Sequence, residues 1–256
     1  MSEQPAADQG LTILDHLGEL RVRVTWAAAG LVVATVLSFA FTEQLLNILI
    51  SPYGEQLQTL SPTEGLQTYF RVALVAGVAI SMPWMLYQLW RFIEPGLHGH
   101  EKRYVYVFVP SATLLFLLGA AFCWFVLLPS AILFLANFMP TIFSPEWTSQ
   151  EYIGFATGFV LWVGIAFQLP LIVYFLARFG IVRSNTLREH WRFAVVGIAI
   201  VAAMVTPSID PVTMLLTMVP LVLLYLLSIG LASLGQRQFD ASVALESESE
   251  PEPADS

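Results

Sequence analysis

Long apolar runs separated by short polar connections make up most of this chain. A helix needs about 20 mostly apolar residues to cross a bilayer, so runs near that length are candidate membrane spans. The candidates are 26–41, 70–92, 104–128, 152–177, 193–205 and 212–234. The pattern therefore predicts an all-α membrane protein with six transmembrane helices.

The fifth of these runs is too short to cross a full bilayer at about 1.5 Å per residue. A tight connection from Thr206 to Pro211 joins it to the sixth run. We expect the last two spans to be short, forming a hairpin that stops before the far surface or thins the bilayer there. A re-entrant pair in a five-span protein is the alternative, and the charge pattern disfavours it.

Prolines recur within or at the ends of the predicted spans, namely Pro83, Pro110, Pro129, Pro170 and Pro220. An interior proline removes a backbone hydrogen bond and bends its helix. Lipid tolerates such a bend only where a neighbour or a cavity takes up the freed carbonyl. Several bent helices side by side predict a concave wall rather than a tight bundle.

Basic residues mark one side of the membrane. All eleven lysines and arginines except Arg71 flank the same set of connections: Arg21, Arg23, Arg91, Lys102, Arg103, Arg178, Arg183, Arg188, Arg192 and Arg237. The opposite loops, 42–69 and 129–151, carry glutamates and no basic residue. By the positive-inside rule both termini are cytoplasmic, which requires an even number of spans and favours six.

The composition agrees with a polytopic membrane protein, since 57% of the residues are hydrophobic, 12% are charged and the mean hydropathy is +0.71. The single cysteine, Cys123, excludes disulfides within the chain. The residues before Trp26 are acidic as well as basic, so we expect no cleavable leader and expect the first span to act as its own insertion signal. The predicted organisation is a cytoplasmic amphipathic segment (1–24), a six-span domain (25–235) and a disordered acidic cytoplasmic tail (236–256).

The segment just before the first apolar run has more polar and charged residues than a membrane anchor needs. As a helix, it places Asp15, His16, Glu19 and Arg23 along one side and its leucines on the other. We expect this segment to lie along the membrane surface. It could serve only to set orientation, but orientation calls for Lys and Arg, so its carboxylates indicate another purpose.

Three further polar residues are candidates for function. Glu101 stands at the start of the third span, where the helix dipole favours a carboxylate, although a plain helix-start role is also open. Gln168, in mid-membrane, needs a polar partner in this chain or in another subunit. Asp210 lies in the last far-side turn, where turn formation is the plain interpretation. His98 and His100 lack further ligands at metal-binding spacing, so no metal is expected.

Together these motifs resemble the TatC family, the polytopic receptor subunit of the twin-arginine protein translocase. The resemblance runs from His16 to about Leu234. It rests on His16-Leu-x-Glu19-Leu-Arg21-x-Arg23, on Tyr87-Gln88 through Phe92, Pro95, Leu97 and His100-Glu101-Lys102-Arg103, and on Thr206-Pro207 with Asp210. In two departures, Gln168 stands where many members have glutamate, and Met214 where glutamine is frequent.

The resemblance implies a receptor and core subunit that binds the twin-arginine signal peptides of folded proteins at the cytoplasmic face of the cell membrane. A guanidinium can bind a carboxylate through two parallel hydrogen bonds, which an ammonium cannot do. The implied peptide site comprises Glu19, Leu20, Arg21, Pro95, Leu97 and Glu101. The implied partners are single-span TatA and TatB subunits, contacted at Gln168, Met204 and Thr206, and further copies of this chain in a multimeric receptor. No cofactor and no nucleic acid is implied.

Two other classes of protein were weighed on the residues. A proton-coupled small-solute transporter needs ionisable groups deep in its spans, where this sequence offers only Gln168. A membrane-embedded hydrolase needs a nucleophile and base or metal ligands within the bilayer. The histidines His16, His98, His100 and His190 instead lie in or beside cytoplasmic segments. We therefore expect a receptor that is not an enzyme.

Overall fold

A computed structural model describes residues 13–54, 57–93, 105–139, 141–142, 146–206 and 210–249. Within these residues all regular structure is helical, apart from an isolated bridge between Gln58 and Thr148. The helices are α1 (Ile13–Ser38), α2 (Thr42–Ile50), α3 (Glu64–Ile93), α4 (Val105–Phe122), α5 (Leu128–Ala136), α6 (Ser149–Ala166), α7 (Leu169–Arg178), α8 (Ser184–Glu189), α9 (Trp191–Val205) and α10 (Pro211–Ser249). The predicted all-α fold is confirmed.

Five helical stretches of the described chain are long and apolar enough to cross a membrane. They are His16–Ile50, Glu64–Ile93, Tyr106–Ala136, Ser149–Arg178 and Pro211–Ala241, and Trp191–Val205 is a shorter apolar helix. Each predicted run coincides with one of these helices, and the fifth is short, as expected. The prediction that the last span is also short is wrong, because α10 has 39 residues.

Helix α1 runs without interruption from Ile13 to Ser38, across the predicted boundary at residue 24 and into the first span. Within α1, no break in the helix therefore marks the predicted boundary between the amphipathic segment and the first span. The stretch contains no proline and no cluster of turn-forming residues, so nothing in the sequence stops the helix between its polar beginning and its apolar remainder. The polar residues at its start consequently lie on the first turns of the same helix.

Helix α10 also extends further than its apolar part. The predicted disorder is wrong for residues 236–249, while 250–256 lie outside the described residues. Gln236 joins this extension to the start of α8, because its Oε1 accepts hydrogen bonds of 3.1 Å from both the backbone N–H and the hydroxyl of Ser184. The extension is rich in helix-forming residues, and the first proline beyond it is Pro251.

The chain divides into two compact units. The first comprises Met1–Leu46 and Tyr69–Thr113, and the second comprises Asn47–Thr68 and Leu114–Ser256. The division cuts through α2, α3 and α4, so it does not follow the predicted boundaries at residues 24 and 235.

In the first unit, α1 and α3 pack closely through two glycines. Gly30 lies against the indole of Trp84, whose Nε1 donates a hydrogen bond of 2.9 Å to the carbonyl oxygen of Trp26. Further along the same pair of helices, Gly77 lies against the backbone of Thr35. Small residues at these positions allow two helix backbones to approach in the absence of a hydrophobic driving force between them.

In the second unit, α9 and α10 share a buried apolar cluster of Ile198, Ala202, Leu221, Tyr225 and Ile229. The hydroxyl of Tyr225 donates a hydrogen bond of 2.6 Å to the carbonyl oxygen of Leu187 in α8. This bond satisfies the polar end of a side chain whose ring is buried. The cluster thus connects the short helix α9 to the last helix and to the connection that precedes it.

Two of the long apolar helical stretches are interrupted within the second unit. A π-helical turn, Cys123–Leu127, separates α4 from α5, and residues 167–168 separate α6 from α7. Pro129 and Pro170 stand in the first turns of α5 and α7, where the missing backbone N–H leaves no hydrogen bond broken. Pro83, Pro110 and Pro220 lie inside helices, as the sequence predicts.

Candidate functional site

Glu19 lies near the beginning of α1 with its side chain 23% exposed. Its Oε1 accepts a hydrogen bond of 3.1 Å from Nη2 of Arg23, one helical turn further on. Its Oε2 accepts no hydrogen bond from any residue that the structure describes. The carboxylate is therefore held at one oxygen and retains the second for another donor.

The ion pair of Glu19 and Arg23 is weak by its geometry. A single N–H of the guanidinium reaches the carboxylate, and Nε of Arg23 is buried with no hydrogen-bond partner in the described part of the chain. Pairs of this spacing contribute about 0.3–0.5 kcal/mol, whereas a hydrogen bond to a charged group contributes about 1.5–3 kcal/mol. A guanidinium that offered two N–H groups would therefore make a stronger contact with this carboxylate than Arg23 makes.

A stacked pair of rings holds the beginning of α1 against the end of α3. The ring centroids of His16 and Phe92 are 4.4 Å apart, with an angle of 23° between the planes. His16 is one turn before Glu19, so this contact fixes the part of α1 that carries the carboxylate. Both residues belong to the motifs that carry the family resemblance, but the sequence does not predict that they touch.

The other predicted members of the peptide site are only partly described. Leu20 and Arg21 follow Glu19 on α1 and are exposed. Pro95, Leu97 and Glu101 lie outside the described residues. The structure therefore places three consecutive residues of the predicted site on one helix end, and the role of all six residues stays a prediction.

The three residues predicted to contact partner subunits differ strongly in exposure. Met204 on α9 is 78% exposed, whereas Gln168 is 5% exposed and Thr206 is 3% exposed. The hydroxyl of Thr206 donates a hydrogen bond of 2.8 Å to the carbonyl oxygen of Ala202. Of the three, Met204 presents a surface to its surroundings, and the two polar side chains face into the unit.

Asp210 stands directly before α10 and caps it. Its Oδ1 accepts a hydrogen bond of 2.6 Å from the backbone N–H of Thr213, as an N-cap side chain does. The N–H of Met214 donates to the carbonyl oxygen of Asp210 at 3.2 Å, and the Met214 side chain packs on the apolar cluster of α9 and α10. Asp210 thus has the helix-start role that its place in the turn indicates.

A buried carboxylate that sequence reasoning did not single out is Glu64, at the first residue of α3 and 3% exposed. It accepts four hydrogen bonds: from the N–H of Leu60 at 2.7 Å, the N–H of Ser61 at 3.3 Å, the hydroxyl of Ser149 at 3.0 Å and the N–H of Gln150 at 2.9 Å. We name these five residues the Glu64 junction. The junction ties the start of α3 to the start of α6.

Part of the Glu64 junction is readable in the sequence. The spacing Ser61-x-x-Glu64 is that of a capping box, in which a carboxylate three residues after the N-cap accepts a hydrogen bond from the backbone N–H of the N-cap residue. The other part is not readable, because Ser149 is 85 positions away. There the carboxylate meets the positive end of the α6 dipole as well as two donors.

Comparison with known proteins decides the family. The model of the family "Sec-independent protein translocase protein (TatC)" matches residues 15–220. The chain belongs to the TatC family. The resemblance inferred from the motifs around Glu19 and Asp210 is thereby confirmed.

Relatives and solved structures agree with this membership. A TatC protein of Koribacter versatilis is 35% identical over 88% of this chain and 86% of its own length, and one of Helicobacter pylori is 37% identical over 86% of this chain and 88% of its own length. A crystal structure titled as the twin arginine translocase receptor TatC matches 87% of this chain and 100% of that chain, with a TM-score of 0.79 and 35% identity.

TatC membership also decides between the classes of protein weighed on the sequence. The chain is a multi-pass membrane protein of the Tat protein translocase and not an enzyme. The hypotheses of a small-solute transporter and of a membrane-embedded hydrolase are therefore set aside.

Proposed function

We propose that this TatC protein is the translocase subunit that receives twin-arginine signal peptides of folded proteins at the cytoplasmic face of the cell membrane. The structural match to a protein titled as the twin arginine translocase receptor supports this role. We further propose six spans arranged as a concave wall, with both termini cytoplasmic. The distribution of the basic residues supports that topology.

The observation that carries the proposal is the state of the Glu19 carboxylate. It is partly exposed, it lies at the start of α1 beside exposed Leu20 and Arg21, and one of its oxygens accepts no hydrogen bond from the described residues. An arginine of the peptide would reach the carboxylate at this oxygen and bind both of its oxygens, and Glu101 would receive the second arginine. Leu20, Pro95 and Leu97 would contact apolar residues of the peptide.

Replacing Glu19 or Glu101 by glutamine is expected to weaken binding of a twin-arginine peptide by at least tenfold. Each charge-assisted contact contributes about 1.5–3 kcal/mol, and each 1.4 kcal/mol corresponds to about tenfold in affinity. The measurement is photo-crosslinking of a labelled peptide to the protein in membranes. A peptide with two lysines should crosslink weakly to the native protein.

The matched control is Glu189→Gln, which removes an exposed carboxylate from α8, on the same predicted side of the membrane. This variant should crosslink as the native protein does. Native levels of crosslinking in both Glu19→Gln and Glu101→Gln would contradict the proposed site.

We also propose that single-span TatA and TatB subunits dock on α9, and that further copies of this chain assemble with it in a multimeric receptor. The exposure of Met204 on a helix of only 15 residues supports a contact there. The buried positions of Gln168 and Thr206 support an indirect role for both, as polar groups that shape this region from inside.

A cysteine at position 204 is therefore expected to form disulfides with cysteines in the partner spans, and a cysteine at position 206 is not. The two positions are neighbours in the chain, but their side chains are 78% and 3% exposed. Oxidative crosslinking in membranes that contain TatA and TatB measures the difference. Equal yields at both positions, or a higher yield at 206, would contradict docking through Met204.

A further inference from the structure

We propose that Arg23 is an internal competitor of the signal peptide for the Glu19 carboxylate. In this proposal, which rests on the proposed function of Glu19, the guanidinium of Arg23 occupies the carboxylate until an arginine of the peptide displaces it. Arg23 then sets how tightly the peptide binds and how readily it leaves. It is a residue that tunes affinity rather than one that attracts the ligand.

Arg23 offers Glu19 the same chemical group as the incoming ligand. The contact between Nη2 of Arg23 and Oε1 of Glu19, at 3.1 Å, is a guanidinium on a carboxylate, which is the interaction that the incoming arginine would make. Both side chains are 23% exposed, so the pair lies where a ligand can reach it. The order of the two residues, with the acid one turn before the base, is the favourable one on a helix.

The ion pair of Arg23 and Glu19 uses only part of the hydrogen-bonding capacity of both groups. The guanidinium uses a single N–H on the carboxylate, and its Nε is buried without a hydrogen-bond partner among the residues that the structure describes. A peptide arginine is free to align its two parallel N–H groups with both oxygens.

The strength of the Arg23–Glu19 pair determines how far it lowers the apparent affinity for the peptide. A binding site that is competent only part of the time has its apparent affinity reduced by the competent fraction. For an exposed pair at this spacing the reduction is about threefold. Competition reduces the affinity of every peptide by the same factor, so it does not change the ratio of affinities for two arginines and two lysines. That ratio depends on how each side chain fits the carboxylates.

The test uses the full-length protein in lipid nanodiscs and a fluorescent twin-arginine peptide. Arg23→Gln and Arg23→Met, of which the second keeps the apolar stem of the side chain, should each tighten binding about threefold. In a Glu19→Gln background the same changes should leave the remaining binding unaltered. Arg188→Gln removes an equal charge from the exposed surface of α8 and should not tighten binding.

Each outcome is decisive. Unchanged or weaker binding in both Arg23 variants, with Glu19-dependent binding retained in the native protein, would overturn the competitor and leave the proposed function standing. Equal tightening in the Glu19→Gln background would show long-range charge repulsion and would also overturn it. Native binding that does not depend on Glu19 would overturn the proposed role of Glu19 in the peptide site, and the competitor with it.

Discussion

Glu64→Ala is expected to lower the free energy of unfolding by about 3–4 kcal/mol. The carboxylate is 3% exposed and accepts four hydrogen bonds, two of them from the start of α6. Without it, the buried hydroxyl of Ser149 and three backbone N–H groups lose their acceptor. A buried donor left unsatisfied costs about 1–3 kcal/mol, and the losses within one cluster are not additive.

Denaturation of the purified protein in detergent, followed by tryptophan fluorescence, measures this loss. The free energy of unfolding of Glu64→Gln should lie between those of Glu64→Ala and the native protein. The glutamine amide oxygen can still accept some of the four hydrogen bonds. Glu43→Ala removes an exposed carboxylate from α2 and should change stability by less than about 0.5 kcal/mol. A Glu64→Ala variant as stable as Glu43→Ala would show that the junction does not hold the two helix starts together.

The sequence predicts the helices of this protein well because the membrane imposes a simple rule. Apolar runs near 20 residues must be helical, so each of the predicted runs appears as a helix. The errors concern where helices end outside the apolar part. The polar start of α1 and the extension of α10 past residue 235 lack the apolar run by which a span is recognised in the sequence. Both stretches are nevertheless helical, because neither contains a proline that would end the helix.

The site is predictable to the extent that its chemistry is local. Glu19 stands out because a carboxylate is unexpected beside a membrane anchor, and its pairing with Arg23 follows the spacing of one helical turn. The stack of His16 on Phe92 depends on the approach of α1 to α3, which no local pattern specifies. For the same reason, the spacing of Ser61 and Glu64 is readable, but the bonds from α6 are not.

Gly77→Leu is expected to lower the free energy of unfolding by about 3 kcal/mol and to weaken peptide binding with it. A Cβ at this position would lie 2.7 Å from Cα and 2.8 Å from the backbone nitrogen of Thr35, and backbone atoms cannot rotate away as a side chain can. The helices α1 and α3 must therefore separate. Separation would also strain the bond from Trp84 to Trp26.

The matched control for Gly77→Leu is Gly158→Leu in α6, where no heavy atom lies within 4 Å of an added Cβ. Stability should change there by less than about 0.5 kcal/mol, as measured by the same denaturation. Because the α1–α3 contact also holds His16 on Phe92 and thereby orients Glu19, peptide crosslinking should fall for position 77 only. Equal stability of the two leucine variants would mean that α1 and α3 do not pack through Gly77.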